Sequence, residues 1–337
     1  MLGHACWRRV VHCMWTVCGL YMRARCVRLE ALNLNPLIDA LASELPAVVR
    51  WSGAVAKGLR QFNVAVEGKS SGSTNTDALT LADLTVQELL VSALRDGHRL
   101  FRSCRIEGEE DTGDMRLFDR DSELAITIDP IDGTRQYRDR TGDGYAVMVQ
   151  LQSAQTVHYS LVFVPESGPH GTWVEVRDDR IVCGPDDPDR TARAVLDALP
   201  PVDPLTRPQS KKIYLIGFQD QDPVKAQLVT DVGLEGFTSE TMNGSIYPLM
   251  AEGRFAGSLI HSPNIYDFPV SMQIARVLGG DAVWVHDRAP VDFSCLWNDE
   301  KANMLRLPGI IACSEHADVL DTLCQLAQDW SPVRYAS

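Results

Sequence analysis

The spacing of apolar residues predicts two amphipathic helices near the start of the chain. Apolar side chains recur every three or four positions over residues 35–62 and again over residues 81–96, which is the period of a helix with one buried face. Pro46 lies within the first pattern and predicts a kink or a break there. The small, polar residues 67–80 between the two patterns predict a loop.

Short runs rich in β-branched residues follow and predict strands. These runs are CRIEGEED (104–111), ELAITID (123–129), YAVMVQLQ (145–152) and TVHYSLVFVP (156–165). A polar, proline-rich stretch at 184–209 precedes KKIYLIGF (211–218), after which strand and helix patterns alternate. Helices, then strands, then alternating elements predict a layered α/β sandwich. We divide it into an N-terminal α+β half (31–205) that carries the site and a C-terminal α/β half (206–337) that completes it.

The composition is that of a globular protein and restricts the classes of function. The chain has 337 residues, 45% of them hydrophobic, and a formal net charge of −13. Such an acidic chain argues against binding to nucleic acid polymers, which needs clustered Lys and Arg. The nine cysteines form no C-x-x-C pair and the eight histidines form no H-E-x-x-H motif. We therefore expect reduced thiols, a cytoplasmic location and no zinc site.

Residues 1–30 differ in composition from the rest of the chain. They contain four cysteines, five arginines and an apolar run from Val10 to Met22. That run is too short to span a bilayer, and no A-x-A-like cleavage site is visible. We interpret the segment as an extension that is not part of the fold. A targeting segment and a membrane anchor are the less favoured alternatives, so no membrane association is expected.

One predicted strand runs into the sequence DPIDGT, which carries two aspartates, Asp129 and Asp132. Carboxylates at the end of a buried strand are costly unless they are paired or bind a metal, and Mg²⁺ takes carboxylate and phosphate oxygens. Pro130 would stiffen a turn in which both carboxylates converge. Gly133 and Thr134 would offer backbone N–H groups to a phosphate oxygen. The alternative is an ordinary turn with solvated carboxylates.

Four further acidic residues strengthen the prediction of a metal site. Glu109 and Glu110 end the preceding strand, where they could meet the two aspartates. Asp267 precedes an amphipathic helix, and Asp83 lies at the start of another. Each has a simpler interpretation, because acidic turns are common on surfaces and aspartate often caps a helix N-terminus.

These pieces in combination resemble the inositol monophosphatase-like superfamily. They are GEE at 108–110, DPIDGT at 129–134, a Tyr-Asp pair at 266–267 before a helix that ends in Gly-Gly, and TLAD at 80–83. Members of that superfamily are Mg²⁺-dependent, lithium-sensitive phosphomonoesterases. The resemblance covers the chain from Pro36 onward, and DPIDGT is its specific part. It implies a layered αβαβα sandwich of the inositol monophosphatase and fructose-1,6-bisphosphatase type.

Carried over residue by residue, the resemblance implies two metal sites that share one ligand and hold two or three Mg²⁺ ions. Glu109, Asp129 and the carbonyl of Ile131 would form the first. Asp129, Asp132 and Asp267 would form the second.

The resemblance also implies catalytic and substrate-binding roles. Thr134 and Asp83 would orient the attacking water, and Glu110 is a further catalytic candidate. Gly133 and Thr134 would bind the phosphate. From their own positions in the chain, after the motif and at the start of a predicted helix, we expect Arg135 and Ser245 to contact the rest of the substrate. Lys69 matches a lysine that the family carries on a loop near the metals.

The chain departs from the family pattern around Asp267. Tyr266 stands where the family usually has tryptophan, and Phe268 and Pro269 stand where it usually has small residues. We therefore expect a change in packing next to the second metal site.

The implied reaction is hydrolysis of a small phosphate monoester by metal-activated water. Arg135, Arg138 and Arg140 follow the motif and make it more similar to the bisphosphate nucleotidases, since a second phosphate would suit an arginine fork. We therefore favour a 3'(2'),5'-bisphosphate nucleotide as the substrate. The alternatives are inositol 1-phosphate or another sugar or polyol phosphate, and a non-catalytic cation-binding relative. A homodimer is left open.

Overall fold

The computed structural model describes residues 34–62, 65–66, 78–242 and 244–335. The chain divides into two compact units, Met1–Asp39 and Ala40–Ser337. Of the first unit, residues 34–39 are described, and the first helix begins within them. The helices and sheets described next belong to the second unit. The predictions for residues 1–30 and for Lys69 lie outside the described residues.

Both helices expected from the apolar period are present, and Pro46 lies inside the first without ending it. The second is fixed by a capping box, in which Thr80 and Asp83 satisfy each other's backbone N–H groups. The described helices are α1 (Asn35–Arg60), α2 (Leu81–Asp96), α3 (Thr134–Asp139), α4 (Ala192–Ala198), α5 (Asp222–Asp231), α6 (Ile246–Ala251), α7 (Phe268–Val277) and α8 (Ala317–Ala327).

The β-branched runs form one six-stranded sheet. Its order is β1-β2-β3-β4-β5-β6, with β1 and β2 parallel and the remaining neighbours antiparallel. Its strands are β1 (Arg105–Gly108), β2 (Ala125–Asp132), β3 (Ala146–Gln152), β4 (Val157–Val164), β5 (Thr172–Arg177) and β6 (Arg180–Pro185).

The C-terminal half forms a five-stranded mixed sheet and a short ribbon. The sheet order is β10-β13-β9-β7-β8, in which β7 is parallel to both β8 and β9, and the ribbon pairs β11 with β12. These strands are β7 (Lys212–Ile216), β8 (Glu235–Thr238), β9 (Gly257–His261), β10 (Asp281–Trp284), β11 (Trp297–Asp299), β12 (Met304–Arg306) and β13 (Ile310–Ser314).

Helices and sheets alternate in five layers. On the outer face of the first sheet, α2 contacts β2, and α1 lies so close to β4 that a Cβ on Gly53 would fall 2.7 Å from Phe163. Helices α6 and α7 lie between the two sheets, and α5 and α8 cover the outer face of the second sheet. The αβαβα sandwich expected from the sequence is therefore confirmed.

The sequence pattern missed β5, β6 and α4, which lie in or next to the stretch interpreted as a polar loop. Polarity was misleading there because the polar side chains are satisfied inside the protein. Asp186 is buried and accepts hydrogen bonds from Trp173 Nε1 at 2.7 Å and from Arg50. Thr191 caps α4 by accepting from Ala194 N at 3.3 Å.

In the part of the chain that the structure describes, no helix has the length and apolar composition needed to cross a membrane.

Candidate active site

Strand β2 continues through the DPIDGT motif as far as Asp132. Asp129 pairs with Met148 and Asp132 with Ala146, so the register gains one residue on β2 between them. Residues three apart on a regular strand point to opposite faces, and this bulge turns both carboxylates toward the same side. The turn expected at Pro130 is therefore a bulge. The chain turns afterwards, at Gly133, whose φ of 84° is in the left-handed region that favours glycine.

The third carboxylate, Asp267, arrives from the loop between β9 and α7. Asn264 fixes that loop, because its Oδ1 accepts from Tyr266 N at 2.8 Å and Asp267 N at 3.0 Å, and its Nδ2 donates to Asp267 Oδ2 at 3.2 Å. Gln150 of β3 donates to the Tyr266 carbonyl at 2.6 Å. Asp267 stands at the N-cap position of α7 but makes no side-chain cap hydrogen bond.

Asp129, Asp132 and Asp267 form a tight carboxylate cluster. One oxygen from each lies within 4.8 Å of those of the other two. Asp129 is buried, and within the described part of the chain its Oδ1 has no hydrogen-bond partner. Three carboxylates held together with an unsatisfied buried oxygen are costly for a protein unless a cation joins them.

The two glutamates that follow β1 have different surroundings. Glu109 lines the same cavity as the cluster, and its charge contributes, after burial, to the raised pKa of Asp129. Glu110 is buried beside α2, where Gln87 accepts from its backbone N–H at 2.9 Å and donates to its carbonyl. Glu109 therefore lies next to the carboxylate cluster, and the backbone of Glu110 is held by α2.

The pKa values of these carboxyl groups report the crowding of like charge. Burial, followed by repulsion from Glu109, Asp132 and Asp267, raises the pKa of Asp129 well above its usual range. Burial, then Asp267 and Glu109, does the same for Asp132, while Tyr247 and the Gly133 N–H oppose the shift. For Asp267, burial and then Glu109 raise the pKa to about 7. A divalent cation would remove this repulsion, and the donors are all oxygen, as hard cations require.

Next to the cluster, Thr134 and Asp83 are hydrogen-bonded to each other. Thr134 Oγ1 lies 3.0 Å from Asp83 Oδ1 and 2.8 Å from the carbonyl oxygen of Ile131. The other oxygen of Asp83 accepts from Thr80 N at 2.8 Å and from Thr80 Oγ1 at 2.6 Å. Asp83 thus serves both as part of the α2 capping box and as the partner of Thr134. Burial is the main cause that raises its pKa to about 6.

A cavity of about 870 Å³ opens onto the carboxylate cluster. Ser245, whose buried hydroxyl has no hydrogen-bond partner in the described part of the chain, lies in its wall. So does Arg135, which donates to Glu240 at 3.1 Å. Arg138 instead pairs with Asp139, and Arg140 donates to the carbonyl oxygens at the end of α1. Of the three arginines after the motif, Arg135 alone is among the described residues that line the cavity.

Comparison with known proteins gives one family. Residues 40–184 match the model of the inositol monophosphatase family. Over these residues the chain is similar to the inositol monophosphatase family. Members of this family are phosphatases that act on phosphate monoesters, and the chain is an enzyme of this class. The family is metal-dependent, which agrees with the carboxylate cluster. No curated protein matches the chain.

Solved structures of low sequence identity share the fold of this phosphatase. Inositol monophosphatase from Anabaena (Nostoc) sp. PCC 7120 is 16% identical, with a TM-score of 0.57 over 90% of this chain and 99% of that one. CysQ from Bacteroides thetaiotaomicron is 17% identical, with a TM-score of 0.56 over 82% and 97%. The extragenic suppressor protein suhB from Bartonella henselae is 15% identical, with a TM-score of 0.56 over 84% and 96%.

Several residues that hold the phosphatase site were missed by the sequence reasoning. Gln150 and Asn264 position the Asp267 loop, and Tyr247 of α6 makes a hydrogen bond with Asp132. Arg60, at the end of α1, donates to the carbonyl oxygens of Gln136, Tyr137 and Gly142 and so ties down the segment after the motif. None lies in a recognisable motif. Only the N-x-x-D spacing of Asn264 and Asp267 could have been noticed, since asparagine often bonds to backbone N–H groups two and three residues ahead.

Proposed function

We propose that this phosphatase hydrolyses a small phosphate monoester with Mg²⁺ held at the carboxylate cluster. Glu109, Asp129 and the Ile131 carbonyl would hold one ion, and Asp129, Asp132 and Asp267 another. The observation that carries the proposal is the convergence of three carboxylates within 4.8 Å, one with a buried oxygen that lacks a partner. Bound Mg²⁺ would neutralise phosphate oxygens and lower the pKa of a coordinated water.

The hydroxyl of Thr134 would orient the attacking water. This hydroxyl has a single proton, and when that proton is donated to Asp83 Oδ1 at 3.0 Å the lone pairs of Oγ1 are left to accept from water. Asp83, with a pKa raised to about 6, is ionised at neutral pH yet basic enough to draw a proton through Thr134. Thr80 holds its other oxygen and keeps the carboxylate aimed at Thr134.

The turn at Gly133 would place the phosphate next to the carboxylates. The Gly133 N–H already bonds to the Asp132 carboxylate, where it lowers the pKa of that group. We therefore assign Gly133 mainly to orienting Asp132, and the Thr134 N–H to the phosphate. Glu110 supports the first ion through its backbone, because Gln87 fixes the segment that carries Glu109.

For the substrate we propose a 3'(2'),5'-bisphosphate nucleotide. Arg135 lines the cavity beside the motif and could contact the leaving group, together with the buried hydroxyl of Ser245. The second candidate is inositol 1-phosphate or a related polyol phosphate. This second candidate is favoured because Arg138 and Arg140 lie outside the cavity lining and bond to other groups. Two arginines of the expected fork therefore do not face the substrate.

Phosphate release from a small panel tests the proposal. The substrates are 3'-phosphoadenosine 5'-phosphate, inositol 1-phosphate and fructose 1,6-bisphosphate, each with Mg²⁺, with EDTA, and with Mg²⁺ plus millimolar lithium. We expect release that needs Mg²⁺ and is inhibited by lithium. Asp132→Asn should abolish release, whereas Asp231→Asn, a matched change of an exposed aspartate on α5, should not. Full activity of the wild-type enzyme in excess EDTA would refute the metal mechanism.

A further inference from the structure

Two buried arginines lie in the cavity wall contributed by the C-terminal half. Arg306 is on β12, and Arg334 is on the segment that follows α8; the side chains are each 5% exposed and both line the cavity. They share one carboxylate, Asp299, which is buried. Asp299 Oδ2 accepts from Arg306 Nε at 2.8 Å and from the Tyr335 hydroxyl at 2.7 Å, and lies 4.0 Å from Arg334 Nε.

This group carries more positive than negative charge. Both guanidinium groups stay protonated in proteins, so two cations face the single carboxylate of Asp299. The pKa of the neighbouring His261 is lowered to about 4, mainly by burial and then by Arg334, so this histidine adds no charge at neutral pH. Asp222 lies within the field of Arg334 and Asp267 within that of Arg306. Asp222 is already bonded to the Phe218 N–H at 2.8 Å, and Asp267 belongs to the carboxylate cluster.

The hydrogen-bonding capacity of the two arginines is also incompletely used. Arg334 Nη1 donates to the carbonyl oxygens of Gly217 and His261, at 3.3 and 2.7 Å, but its Nε, 4.0 Å from Asp299 Oδ2, is buried without a hydrogen-bond partner in the described part of the chain. Arg306 Nη1 donates to the Ser262 carbonyl at 3.0 Å, while its Nη2 has the Met304 sulfur at 3.1 Å, a weak acceptor. Buried cations with unsatisfied donors are costly unless an anion joins them.

The arginine pair lies on the Asp267 side of the cavity. Arg306 pairs with Asn264 in an isolated β-bridge, and Asn264 holds Asp267. The turn at Gly133 and Thr134 borders the same cavity from the other half of the molecule. A molecule whose reacting phosphate sits on the carboxylate cluster could therefore reach the arginines with a second group.

We propose that Arg306 and Arg334 form a subsite for a second phosphate of the substrate, remote from the bond that is cleaved. This deepens the proposed function and rests on it. A guanidinium fork matches phosphate geometry, and charge-assisted hydrogen bonds of this kind are the strong ones. The simplest competing interpretation is that Arg334 only anchors the C-terminal segment.

Matched substrates and a second measurement separate the two interpretations. Adenosine 3',5'-bisphosphate and adenosine 3'-monophosphate differ only in the remote phosphate, and we expect the wild-type enzyme to have at least about a tenfold lower KM for the bisphosphate. Arg334→Gln should remove that advantage with little change in kcat, and Arg334→Lys should restore part of it. Calorimetric titration of inorganic phosphate in EDTA should show binding to the wild type and at least a tenfold weaker binding to Arg334→Gln.

Two control variants report the structural contribution of the tail and the loss of a charge elsewhere. Trp330→Leu removes a ring that packs against Phe218 and so loosens the segment after α8 without changing charge, and Arg288→Gln removes a surface arginine that pairs with Asp321. Both should keep the wild-type KM ratio. Equal effects of Arg334→Gln on the two substrates, or the same effect in Trp330→Leu, would reduce Arg334 to an anchor. If no substrate is hydrolysed, the proposed function fails, and the phosphate titration still decides the subsite. If Arg334→Gln fails to fold, Arg334→Lys and the titration decide it.

Discussion

Two buried carboxylates of the same sheet have opposite surroundings. Glu175 on β5 is buried, accepts from Arg193 Nη1 at 2.7 Å and Nη2 at 3.0 Å, and also accepts from the Tyr159 hydroxyl at 3.0 Å. Asp129 on β2 is equally buried but faces other carboxylates, and one of its oxygens has no partner among the described residues. Burial alone therefore does not distinguish a structural acid from a functional one.

Glu175 and Asp129 differ in the group that neutralises their negative charge. The protein itself supplies the cation for Glu175, so that this pair fixes α4 against β5 and leaves nothing for a ligand. For Asp129 the protein supplies further negative charge, and a bound cation would relieve the resulting cost at neutral pH. The same distinction applies to arginines, because Arg135 is paired with Glu240 whereas Arg306 and Arg334 share one carboxylate.

The largest effect is expected from Asp129→Asn. It should lower kcat/KM about 1000-fold, roughly 4 kcal/mol of lost transition-state stabilisation, because a carboxylate shared by both metal sites is removed. Without metal the same change should stabilise the protein. The pKa of Asp129 is raised in the folded state, so its ionisation costs stability as the pH rises, and asparagine removes that cost.

Melting curves in EDTA check the second half of this prediction. The variant should melt above the wild type at pH 7.5, and the difference should shrink toward pH 4, where the wild-type carboxyl group is protonated. A lower melting temperature at pH 7.5 would contradict the idea that the cluster is strained without a cation.

Glu175→Gln should have the opposite pair of effects, lowering the stability of the protein and leaving its activity unchanged. It leaves Arg193 without its carboxylate, and we expect a loss of about 3 kcal/mol in the free energy of unfolding, at the low end for a buried pair because Arg193 is partly exposed. Urea denaturation measures this loss, with the exposed Glu235→Gln as the matched control. Phosphatase activity at a temperature where the variant is folded should be unchanged; a large drop would mean that Glu175 reaches the site.

A smaller loss, about 100-fold in kcat or roughly 2.7 kcal/mol, is expected from Asp83→Asn, because the amide cannot take a proton from Thr134. The wild-type pH profile should show an acid limb. Asp83 has a pKa raised to about 6, so the basic form is present above that pH and is lost as the pH falls through it. This limb should vanish in the variant. If the limb persists unchanged, another group is responsible for it.

The smallest effect is expected from Arg135→Ala. Its guanidinium group is already paired with Glu240 at 3.1 Å and is partly exposed, and exposed pairs contribute at most about 1 kcal/mol, or fivefold in KM for a bisphosphate substrate. Arg138→Ala, which alters an arginine outside the cavity lining, should change nothing. An effect of Arg135→Ala larger than that of Arg334→Gln would reverse our assignment of the second-phosphate subsite.

The fold and part of the site could be predicted because their signals are local. The apolar period of α2 and the β-branched run of β2 each follow from neighbouring residues. The DPIDGT motif compresses a strand end, two acids and a tight glycine turn into six positions. By contrast, β5 and β6 were missed, because Asp186 and Glu175 look exposed in sequence and find their partners only across the fold.

The sequence by itself determined the layered α/β fold, the family resemblance and the acidic residues expected at the site. Only the tertiary structure decided which of those acids meet and which arginines face the cavity. It brings Asp267 next to Asp129 and Asp132, joins Asp83 to Thr134, and turns Arg138 and Arg140 to other partners while placing Arg306 and Arg334 in the wall. The physical reason is that propensity and capping act over a few residues, whereas the charge around a carboxylate is the sum over every element packed against it.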